Sequence, residues 1–112
     1  MPTFTYAAGH TVAADVRNVF SGIDGALLNT ARLTVSLLEA SEGADLSAAK
    51  GQKVLESVAA GFNKVVEGRK EIMTAHRALT VIKGESNLSV VDYGCLGSGP
   101  LASAADVPAS AA

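Results

Sequence analysis

Two histidines, a single cysteine and a scatter of serines and threonines are the residues from which a nucleophile and its base would most simply be drawn. His10 and His76 stand far apart in the chain, and no acidic or cysteine ligand accompanies either at metal-binding spacing. No catalytic residue and no metal ligand is assigned. Cys95 has no second cysteine to pair with, and its only charged neighbour is Asp92, whereas a reactive thiol needs a positive setting. It reads as a bland, reduced thiol.

Phosphate chemistry finds no support either, because neither a G-x-x-x-x-G-K-[ST] loop nor a G-x-G-x-x-G turn after a strand occurs. The glycines of "GCLGSG" lack a following helix to supply an anion-binding N-terminus. No cofactor is expected. What stands out instead is a pair of polar residues on an otherwise apolar stripe. Leu55, Val58, Phe62, Val65, Arg69, Ile72, His76 and Leu79 recur in alternating steps of three and four, the register that keeps one helix face toward a partner. Arg69 and His76 are therefore the candidate ligand-binding residues. A structural alternative pairs Arg69 with Asp15 across two antiparallel helices, its stem lying along apolar surface and its guanidinium reaching the rim.

The element that positions them is the proline-free run Leu46 to Lys83, which predicts one long helix. A second pattern runs from Thr11, a suitable N-cap, to about Ala40, with a stripe at Val12, Val16, Val19, Ile23, Ala26, Thr30, Leu33 and Leu37. Phe20, Leu27, Ala31 and Leu38 widen that stripe, so this helix should touch more than one neighbour. Between the two lies "ASEGADLS", where Gly43 suits a left-handed helix end and Asp45 or Ser47 suits the next cap. So short a turn joins antiparallel helices.

The predicted fold is all-α: a long antiparallel helical hairpin over residues 11–96, completed as a bundle by oligomerisation, with short extended terminal segments. Residues 1–10 alternate in a two-residue period and read as an extended arm. Leu88 to Tyr93 are rich in β-formers and read as a short strand that pairs with Thr3 to Tyr6. Residues 97–112, small and of low complexity, read as a flexible tail.

Composition narrows the function. The chain has 112 residues, 48% of them apolar but only 4% aromatic, with no tryptophan. Its net charge of −2 conceals a basic long helix, seven basic against three acidic residues over 46–83. Because Lys53 and Lys64 share their face with Glu56, Glu67 and Glu71, that helix lacks the one-sign stripe that tracks phosphates, and nucleic acid is an unfavoured partner. No membrane span and no signal peptide is expected, which points to the cytoplasm, or to a virion if the protein is viral. Gly61, Gly68 and Ala75 recur every seven residues beside the stripe, a smooth strip on which another backbone can lie close. The sequence thus points to a non-enzymatic structural or adaptor protein, a homo-oligomer within a larger assembly such as a virion. Its alternative is a small helical binding module or sensor with a pocket near Arg69 and His76.

Overall fold

The computed structural model describes residues 1–94. The tail from Gly97 and the thiol of Cys95 lie outside the described residues. Two helices, α1 (Tyr6–Glu42) and α2 (Ala48–Gly84), fold as a hairpin, and no strand occurs among the described residues.

α1 starts five residues before the expected Thr11. Thr5 is the cap: its hydroxyl accepts the Ala8 amide at 3.0 Å and its carbonyl accepts the Gly9 amide at 3.2 Å. The period-two look of Thr3 to Tyr6 is therefore the approach to a helix, and Tyr6 to His10 are helical rather than extended. At the turn, the Ala44 amide donates to the Ser41 carbonyl, and Gly43 keeps an ordinary negative φ. Among the described glycines only Gly94 is left-handed, with φ of 77°. Of the two cap candidates for α2, Ser47 serves, its hydroxyl accepting the Lys50 amide at 3.3 Å.

The expected strand at 88–93 is instead the end of a run of turns that begins where α2 ends, followed by irregular backbone at 91–93. Ser86 Oγ donates to the Lys83 carbonyl (2.7 Å) and accepts the Leu88 amide (3.0 Å), which satisfies a hydroxyl that is almost fully buried. The N-terminal arm does meet this segment, but through a side chain. Asn87 Oδ1 accepts the Phe4 amide and Asn87 Nδ2 donates to the Phe4 carbonyl, both at 2.8 Å, so one amide reproduces the two bonds of a strand pair.

The described residues form two compact units. One comprises Met1–Gly22 with residues 71–94, and it holds every buried residue: Ala13, Phe20, Ser86 and Leu88. Phe20, 2% exposed, anchors it. The other, Ile23–Lys70, is the turn half of the hairpin, and not one of its residues is buried.

Of the α2 stripe, Leu55, Val58, Val65, Arg69, Ile72 and His76 are half-buried as their spacing predicts, whereas Phe62 and Leu79 are exposed. The α1 stripe is rotated. Val16, Ile23, Thr30 and Leu37 keep their inward positions, but Ala13, Phe20, Leu27 and Thr34 replace Val12, Val19, Ala26 and Leu33. Val12, Val19 and Leu33 remain more than two-fifths exposed. The reason is the size of Phe20: an aromatic ring has on the order of 150–250 Å² to bury, more than a valine offers, so the helix turns to bury the ring.

Candidate functional site

The unit that carries the termini contains an apolar groove of about 240 Å³. Small residues make room for it: on α1, Ala8, Gly9 and Ala13 face the groove where larger side chains would fill it. From α2, Leu79 and Lys83 follow His76 at intervals of three and seven residues and so share its face. Leu88 and Tyr93, from the turns after α2, close a third side.

Tyr93 holds that third side in place. Its hydroxyl donates to the Tyr6 carbonyl at 3.0 Å, and its own carbonyl accepts from Arg17 Nη1 at 2.6 Å. Its ring lies 5.3 Å from that of Tyr6 and 6.3 Å, edge-on, from that of His10. Loss of water around the phenol, and then the neighbouring Tyr6 phenol, raise its pKa above the ordinary 10.0. Gly9 is required for this approach, because a Cβ there would stand 2.7 Å from Tyr93 Cζ and 2.8 Å from Leu88 Cδ1.

His76 forms a wall of the groove and meets the edge of Phe20, ring centroids 6.2 Å apart and planes at 74°. His10, by contrast, belongs to the Tyr6 and Tyr93 ring cluster and is not among the groove's walls. No group of three or more metal-ligating side chains occurs among the described residues.

Arg69 is not part of the groove. It lies in the turn half, where its Nε donates to Asp24 Oδ1 at 2.8 Å, the two side chains being 18% and 22% exposed. The expected pairing with Asp15 is thus wrong. Asp15 lies in the other unit and is exposed, and the partner of Arg69 is nine residues further along α1. The cause is the turn: α1 continues to Glu42 and the connection occupies residues 43–47, so facing positions are symmetric about a point beyond Gly43. Asp24 Oδ2 is buried and accepts no hydrogen bond from the described residues.

The sequence reading missed Gly9, Asn87 and Tyr93. A signal was available for one of them: a glycine in the first turn of a helical pattern, with Thr5 four residues before it, marks a close approach better than it marks a break. Comparison with family models, with curated proteins and with solved structures finds no match to this chain.

Proposed function

We propose that this is a non-enzymatic structural or adaptor protein that works as a helical homo-oligomer, a component of a larger assembly such as a virion or a cytoplasmic scaffold. The observation that carries this reading is the turn half, Ile23–Lys70, in which no residue is buried although Leu28, Leu33, Val35, Leu38, Val54 and Val66 are all more than two-fifths exposed. Helices in water draw most of their stability from a packed apolar face rather than from propensity. Two helices whose inward residues are only half-buried draw less from that term, and a large exposed apolar face marks an interaction surface.

Light scattering on the full chain at micromolar concentration tests the reading. A mass of two or more chains is expected, with a melting temperature that rises with protein concentration. A monomer mass together with a cooperative, concentration-independent transition would refute it.

The groove beside His76 favours a second reading, a small helical binding module. At about 240 Å³ it is smaller than the ~300–1,000 Å³ usual for ligand pockets. Arg69 would enter this reading only through its Asp24 pair. A small apolar molecule that protects the wild type from unfolding, but not His76→Ala, would promote it over the structural one.

A further inference from the structure

Within the turn half, α1 carries a second apolar stripe, one that is exposed and begins a turn beyond Asp24, the partner of Arg69. Leu28, Ala31, Val35 and Leu38 follow one another in steps of three and four, and all are exposed, the three larger ones by 49–54%. At about 100° per residue they lie roughly a quarter-turn around the helix from the half-buried positions Ile23, Leu27, Thr30, Thr34 and Leu37. This ridge has the spacing of a helix seam, and among the described residues nothing buries it.

Charge indicates what covers it. Leaving aside Asp24 and Arg69, which pair within the chain, the α1 part of this half, residues 23–42, has two acidic residues against Arg32, a net −1; the α2 part, residues 48–70, has four basic against two acidic, a net +2. Stacking α1 on α1 between copies would set like charges together, as would α2 on α2. Only α1 of one copy on α2 of another brings opposite signs into contact, and a two-fold operator then makes that contact twice.

α2 also offers the complementary shape. Gly61 and Gly68 lie seven residues apart on its exposed surface, and a Cβ at either would meet no atom within 4 Å. Among the described residues nothing requires these glycines, each of which is dearer than alanine by ~1 kcal/mol in a helix. A flat strip is where a ridge from another helix can approach closely.

We infer that the Leu28–Leu38 ridge of α1 docks against the Gly61–Gly68 surface of α2 in a second copy of this chain, reciprocally. The inference rests on the homo-oligomer reading and adds the surface and the pairing to it. Its test is sedimentation equilibrium of the full chain in three forms: wild type, Val35→Ser with Leu38→Ser, and Gly61→Leu with Gly68→Leu. Leucine is a better helix former than glycine, and an added Cβ there meets none of the described residues, so helix content by circular dichroism should hold in the third form. Both variants are expected to raise the dissociation constant by about tenfold or more. An oligomeric wild type with either variant associating as tightly would overturn the inference alone. A monomeric wild type would overturn the homo-oligomer reading and the inference together.

Discussion

Replacing Gly9 by alanine adds one methyl group at the place where α1 comes closest to the C-terminal turns, and its effect should oppose the usual benefit of removing a helical glycine. On helix propensity alone the change gains ~1 kcal/mol. Against that, the new Cβ would overlap Tyr93 Cζ and Leu88 Cδ1, at 2.7 and 2.8 Å, well inside van der Waals contact. Leu88 is buried and the Tyr93 phenol is tied to the Tyr6 carbonyl, so neither moves without losing packing or a hydrogen bond. Overpacking of this kind costs ~1–3 kcal/mol, and a broken hydrogen bond about 1 kcal/mol more. The net expectation is a loss of ~1–3 kcal/mol. Gly22→Ala is the matched control, also in α1 but with no atom within 4 Å of the added Cβ, and it should gain ~0.5–1 kcal/mol. Urea unfolding at one protein concentration, followed by intrinsic fluorescence, measures both. Because the chain has two tyrosines and no tryptophan, and Tyr6 and Tyr93 are in contact, that signal reports this very site. Gly9→Ala as stable as Gly22→Ala, with an unchanged emission, would refute the close approach.

A double-mutant cycle on Asp24→Asn and Arg69→Met should show a coupling of ~1–3 kcal/mol, the range for a charged hydrogen bond at a part-exposed site, whereas Asp15→Asn with Arg69→Met should show none. Asn87→Ala removes both bonds to the Phe4 backbone and should cost about 1 kcal/mol, with faster hydrogen exchange at the Phe4 amide as the specific readout. In a spectrophotometric titration Tyr93 should ionise at higher pH than an unfolded tyrosine, and Tyr93→Phe should remove that ionisation. Since its folded pKa is raised, the phenol's contribution to stability is present in full below the unfolded pKa and is lost as the pH climbs through the folded one.

The periodicity of a proline-free run is a local property, so two helices, their antiparallel connection and most of the inward face of α2 from Leu55 to His76, Phe62 excepted, were legible in the residues. The phase of α1 was not. Val12 and Ala13, or Val19 and Phe20, are neighbours on one broad apolar arc, and only the burial of the Phe20 ring against its surroundings selects between them. Register was equally undetermined, because it depends on where the turn is centred: a displacement of a few residues moved the partner of Arg69 from Asp15 to Asp24. The meeting of the N-terminal arm with the segment after α2 followed from the hairpin topology, but its chemistry came from contacts between residues more than eighty positions apart. A single asparagine clamps Phe4, and a tyrosine closes over a glycine. Such contacts leave no periodic trace in the chain, since each is one side chain meeting one backbone, and geometry in three dimensions alone decides that they form.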